Sequence, residues 1–215
     1  MDTTIIAPYT KALEAQKAEY AGYIADGVKG IALPATKEAI PTGKKNFLTD
    51  SGWVFLVIGV AGFIAGLIVG VSGIWIAGCI AIASGVYCLI KGKQQLTAEA
   101  FRNLGNEVYG KLEGIIAHVS GGWTKNVEDE NASLRKAIVS SAATPDAKVA
   151  ALGEMADDDY LHVDTAELRK EIDDVAAQES LEAFTTYLPK AAATLTESLT
   201  EAAKARTAAL TALSK

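Results

Sequence analysis

The residues best equipped for chemistry cluster late in the chain. Glu154, Asp157, Asp158, Asp159, His162 and Asp164 bring five carboxylates and one imidazole into eleven consecutive positions. Carboxylates beside a histidine can hold a divalent cation. A calcium loop of the EF-hand kind needs a central glycine and a bidentate glutamate at its end, and this run has neither. Asp164 followed by Glu167 has instead the form of a capping box. Acids at a helix N-terminus also suit its dipole. The pattern predicts a solvated acidic loop before a capped helix, and no metal site.

His118, the other histidine, falls near an apolar stripe with no constellation of partners around it. It is expected to be a partly buried structural side chain rather than a base. No glycine loop of the P-loop or dinucleotide-binding form is present. The serines of "VSGIW" and "ASGVY" lie inside apolar sequence and do not form a Gly-x-Ser-x-Gly nucleophile elbow. The chain is therefore expected to be no enzyme and to hold no cofactor.

The feature that dominates is apolar. From Phe55 to Ile90 the chain carries no charge. Outside that stretch it is polar, alanine-rich and acidic, with a net charge of −6 over 215 residues. Residues 1–50 balance their charges, and the negative excess falls after Lys91. Phosphate binding needs a basic footprint, so nucleic acid is not an expected partner. Cys79 and Cys88 are nine positions apart on one expected helix, too far for a disulfide. The N-terminus lacks the basic start, apolar centre and cleavage site of a secretory signal. The triplet Asn131-Ala132-Ser133 matches a glycosylation acceptor, a pattern common by chance.

A bilayer takes about 20 residues per helix, so residues 51–90 suffice for two spans. The expected spans are Gly52 to Val69 and Ile74 to Ile90, with a turn at Gly70–Gly73. Lys44 and Lys45 precede this hairpin, and Lys91 and Lys93 follow it. The positive-inside rule then puts both soluble ends on the same, cytoplasmic side. Trp53 and Tyr87 fall at the lysine side and Trp75 at the turn side, as interfacial anchors do. Gly59, Gly62, Gly66 and Gly70 step by three or four along the first span, a glycine-zipper pattern. Ala77, Ala81, Ser84 and Cys88 do the same along the second, with Gly85 beside them. Small-residue stripes let helix backbones approach closely in lipid. The two faces are expected to pack on each other, or one to pack internally and the other to serve oligomerisation.

Amphipathic helices flank the hairpin. Leu13, Tyr20, Ile24, Val28 and Ile31 form one face of a helix starting near Pro8. Phe101, Leu104, Val108, Leu112, Ile115 and Val119 form a second stripe, which "SGGW" is expected to break or bend. Trp123, Val127, Leu134 and Ile138 continue the helical pattern, and Pro145 opens a further helix. A last long helix begins at Asp164, carries Leu168 to Leu213 in its stripe, and kinks or restarts at Pro189. The expected fold is all-α: an N-terminal helix and linker over 1–50, the apolar hairpin over 51–90, and an acidic helical bundle or coiled-coil stalk over 91–215.

In layout this resembles the inclusion membrane proteins of chlamydia-like bacteria, which carry a bilobed apolar region and a helical cytosolic tail. That resemblance implies a constitutive, non-enzymatic membrane protein. Its partners would be the lipid bilayer and either a second copy or another helical protein. The layout is also similar to helical pore-forming toxins of the cytolysin A and haemolysin BL types. Those shelter an uncharged hairpin against a bundle and insert it on contact with a membrane. Such a chain would be secreted without a classical signal peptide.

Overall fold

The computed structural model describes residues 3–40, 47–69, 72–141 and 160–214; side-chain surroundings are described for these except 3–5, 66–69, 72–75, 141 and 214. The fold is all-α, with five helices and no strand among the described residues. They are α1 (Thr3–Lys29), α2 (Phe47–Val69), α3 (Ser72–Ser141), α4 (Thr165–Ala177) and α5 (Leu181–Ser214), with a single 3₁₀ turn at Lys37–Ala39. The chain divides into two compact units. One comprises Met1–Leu33, Glu107–Ile172 and Glu182–Lys215; the other comprises Pro34–Asn106 and Asp173–Leu181. α3 contributes to both.

The first unit is a helix bundle built on the stripes described above. Leu13, Ile24 and Val28 of α1, Leu112, Val119, Trp123 and Leu134 of α3, Ile172 of α4 and Phe184, Leu199 and Leu210 of α5 are all buried. Helix formation here is driven by burial of these faces rather than by propensity. Trp123 is 0% exposed and meets the Tyr20 ring edge-on at 6.4 Å. The Tyr20 hydroxyl accepts a hydrogen bond of 2.9 Å from Asn126 Nδ2.

That contact explains why "SGGW" does not interrupt α3. A Cβ on Gly122 would lie 2.5 Å from the Tyr20 hydroxyl oxygen. Gly122 is thus the space that Tyr20 occupies. Two helical glycines cost about 1 kcal/mol each against alanine, and burial of Val119 and Trp123 around them exceeds that. The start of α1 also differs from expectation. Pro8 lies inside the helix, which begins at Thr3. The additional turn buries Ile6, which compensates the single bond that Pro8 cannot donate.

Two further differences concern chain breaks. α3 runs on through Ile90 without a stop, because no proline lies between Pro41 and Pro145 and "KGKQQLTAEA" is rich in helix formers. The last helix restarts not at Pro189, which lies within α5, but at Gln178–Ser180. There Glu179 adopts a left-handed backbone with φ 49°, and its N–H bonds the Ala176 carbonyl at 3.1 Å. Asp164 does cap α4: its Oδ1 accepts from the backbone N–H groups of Ala166 and Glu167, both at 2.9 Å. The region of Pro145 lies outside the described residues.

In the second unit, Ile40, Ala100, Phe101 and Leu104 are buried, and the Lys37 ammonium lies 5.6 Å from the Phe101 ring centre. Among the described residues two helices are long and apolar enough to cross a membrane, within Phe47–Ala65 and within Ile76–Ser140. Trp123→Ala is expected to destabilise the bundle by about 3–5 kcal/mol and Asp164→Ala by about 1 kcal/mol. Both are checked by chemical denaturation followed by circular dichroism, and the ordering of the two is the discriminating result.

Candidate membrane-contact hairpin

α2 and the first turns of α3 pair antiparallel, with main chain set against main chain. A Cβ on Gly52 would lie 3.0 Å from the Gly85 carbonyl oxygen, and one on Gly85 would lie 2.9 Å from that of Gly52. One turn-pair further on, Gly59 and Gly78 repeat the reciprocal contact, each built Cβ lying 2.9 Å from the other's carbonyl oxygen. A Cβ on Gly78 would also overlap the Phe63 backbone nitrogen, and one on Gly59 would lie 2.6 Å from that of Ile82. At the open end Gly92 faces Thr49, with 3.0 Å from its built Cβ to the Thr49 nitrogen. The seam is therefore Gly52 and Gly59 against Gly78, Gly85 and Gly92, spaced by sevens on each helix. A seven-residue repeat keeps one face of a helix turned to its partner. At such a separation Cα–H groups can face carbonyl oxygens across the interface, a weak but recurrent helix–helix contact.

The described positions divide clearly. Gly59 and Gly85 lie in the seam, buried. Gly62 is at its margin, where a Cβ would meet only the Gly78 Cα at 3.7 Å. Ala81 and Cys88 are half-buried, whereas Ala77 and Ser84 are exposed. The face of α3 that meets α2 is thus rotated from the Ala77/Ala81/Ser84/Cys88 stripe onto Gly78, Gly85 and Gly92. Sequence reasoning missed Gly52, Gly78 and Gly92. The signal that would have found them is the exact repeat of seven, hidden by a search for steps of three and four.

The outer surface is the reverse of a soluble core. Trp53, Phe55, Val57, Ile58, Ile64, Ile80, Val86 and Ile90 are all exposed. Only 11% of the first apolar window is buried. Trp53 is 58% and Tyr87 62% exposed, and Lys91 and Lys93 are exposed. Lys44, Lys45 and Gly70 lie outside the described residues, as do the surroundings of Gly66 and Trp75. Of the Gly70–Gly73 turn, Ser72 and Gly73 already belong to α3. Cys79 and Cys88 are free.

The polar candidates resolve differently. His118 is exposed, not partly buried, and stacks on Tyr23 with ring centres 4.2 Å apart. Among the described residues no cluster of three histidine, cysteine or acidic side chains could hold a metal ion, and Glu154 and Asp157–Asp159 lie outside them. Asn131 of the glycosylation-like triplet is buried in α3, where its Oδ1 accepts 2.6 Å from an Arg206 Nη2 donor. Sequence reasoning also missed this polar layer. Arg206 is 2% exposed and Glu130 9%. Their ion pair is long, at 3.6 Å, and Gln16 Nε2 donates to Glu130 Oε1 at 3.5 Å. Burial pushes the Glu130 carboxyl above its usual range, and the Arg206 charge only partly opposes this. Burial likewise raises Tyr187, with the Glu171 carboxylate adding to the effect.

No family model, curated protein or solved structure matches the chain.

Gly59→Leu and Gly85→Leu are each expected to destabilise the hairpin by about 1–3 kcal/mol or more, whereas Ala77→Leu, Ser84→Leu and Ile64→Leu leave it nearly unchanged. The readout is the midpoint of SDS-induced unfolding from mild detergent micelles, and equal effects at both sets would refute the seam. The polar layer carries a second expectation. The folded Glu130 pKa is raised, so its stabilising contribution is complete below the ordinary carboxylate range and is lost as pH rises through the folded value. The stability of the wild-type chain minus that of Glu130→Gln should therefore fall as pH rises above the ordinary carboxylate range, measured by denaturation at each pH.

Proposed function

We propose that the chain is a non-enzymatic membrane protein. The hairpin of α2 and the start of α3 anchors it, and the acidic helical bundle binds helical partners or further copies. The observation that carries this reading is the inversion of the hairpin. Gly52, Gly59, Gly78 and Gly85 are buried while Trp53, Val57, Ile58, Ile64, Ile80, Val86 and Ile90 are exposed. A soluble domain rarely exposes a contiguous apolar surface of this extent. In lipid, large apolar side chains belong outside and packing of small residues joins the helices. Between its ends a helix satisfies its main-chain polar groups internally, which is what a spanning segment requires.

On this reading Trp53 and Tyr87 lie at one interface with Lys91 and Lys93, and both soluble ends are on the same side of the membrane. The amphipathic helices of the bundle already bury their stripes against one another. That favours constitutive residence over a toxin-like form that would use those stripes to shelter the hairpin.

The native chain is expected to sediment with membranes, to resist carbonate extraction and to need detergent for release. A full-length chain that stays monodisperse in plain buffer would overturn the proposal. Release of dye from liposomes by such a soluble form would establish the conditional-insertion alternative.

A further inference from the structure

We propose that the bundle holds a single-chain anionic lipid, a long-chain fatty acid, in a groove between the end of α1 and the first turns of α5. The groove encloses about 460 Å³ and is walled by Val28, Ile31, Leu33, Leu188, Pro189 and Ala192, with Lys29 and Thr185 as its polar members. Val28, Ile31 and Leu188 are buried and make an apolar floor. The chain shapes it locally. α1 closes with the Gly30 N–H bonding the Asp26 carbonyl at 2.9 Å, and Ile31 then bonds back to Val28 at 3.1 Å. This tucks Ile31 under the helix end. Opposite it, Pro189 presents its ring from within α5.

Size and charge select the occupant. The volume of about 460 Å³ falls in the range of small-molecule sites, about 300–1,000 Å³. A two-chain lipid would have to leave one chain in water. One acyl chain fits an apolar trough without polar partners along its length. The exposed Lys29 ammonium makes no ion pair among the described residues and can meet a carboxylate at the mouth. The inference rests on the membrane reading only in that a bilayer supplies the fatty acid.

The test is photolabelling of the full-length chain in nanodiscs with a diazirine-bearing palmitic acid, mapped by peptide mass spectrometry. Label is expected on peptides containing Val28–Leu33 and Leu188–Ala192, displaced by excess palmitate and about threefold less effectively by hexadecanol. Lys29→Glu should lower that label by about threefold, the worth of one exposed ion pair, and Lys29→Arg should restore it. Ala192→Leu, which narrows the groove on a helix-compatible position, should lower it with unchanged circular dichroism. Label confined to the hairpin would overturn the fatty-acid site and leave the membrane reading standing. Groove label without hairpin label would uphold the site and remove the membrane reading. Equal displacement by hexadecanol, or label unaffected by Ala192→Leu, would overturn the assignment.

Discussion

The approach of two helix backbones at Gly52/Gly85 and Gly59/Gly78 is the contact on which the hairpin depends. Nothing larger than hydrogen fits on either side of it. Once the seam is made of main chain, with Ile82 and Leu89 reaching its glycines from the side, side chains such as Val57, Ile58, Ile64, Ile80 and Val86 are turned outward. That is why the surface they form suits hydrocarbon. The same seam would be a poor solution in water. Each helical glycine costs about 0.5–1 kcal/mol against alanine, and closing the two helices buries few methyl groups in return. In lipid there is no water to expel between helices, so close packing becomes the term that decides.

The bundle solves the opposite problem with the opposite residues. Its core is filled by Trp123, Phe184 and leucines at helical spacing. It admits one polar layer, in which Arg206 bonds Asn131 at 2.6 Å and pairs with Glu130 at 3.6 Å. A buried ion pair of that length contributes little net stability, since desolvation of both charges offsets their attraction. Its physical effect is selective: sliding α5 against α3 by a turn would leave Arg206 in an apolar layer without Asn131 or Glu130. The layer thus discriminates between registers that leucines alone would tolerate.

Much of this was legible in the sequence, and the parts that were not share a cause. Helical stripes at Leu13–Val28, Val108–Ile138 and Leu168–Leu213 needed only periodicity, and the Asp164 cap only its spacing to the next helix. What escaped were positions where a tertiary contact overrides local chemistry. Gly122 reads as a breaker but is a socket for Tyr20. Glu179 takes a left-handed conformation usually left to glycine, so no punctuating residue marks the break before α5. Pro189, which does look like a break, sits inside a helix. In the hairpin the presence of a glycine face was readable, but its orientation was not. Steps of three and four describe which residues share a broad face; only the partner selects the narrow line within it.

That narrow line also limits where self-assembly can occur. Gly52, Gly59, Gly78, Gly85 and Gly92 are engaged within one chain, so they are not free to join a second copy without opening the hairpin. Opening it would expose the paired main chains and surrender the close packing that holds α2 to α3. An oligomer built from closed hairpins must therefore use the outer faces of α2 and α3 or the acidic bundle. The small residues Ala77 and Ser84 lie on such an outer face. A partner meeting the protein there would contact an intact hairpin rather than exchange a helix with it. Association is then expected to leave the fold of each chain unchanged, because the interaction that defines the hairpin is complete before any second molecule arrives.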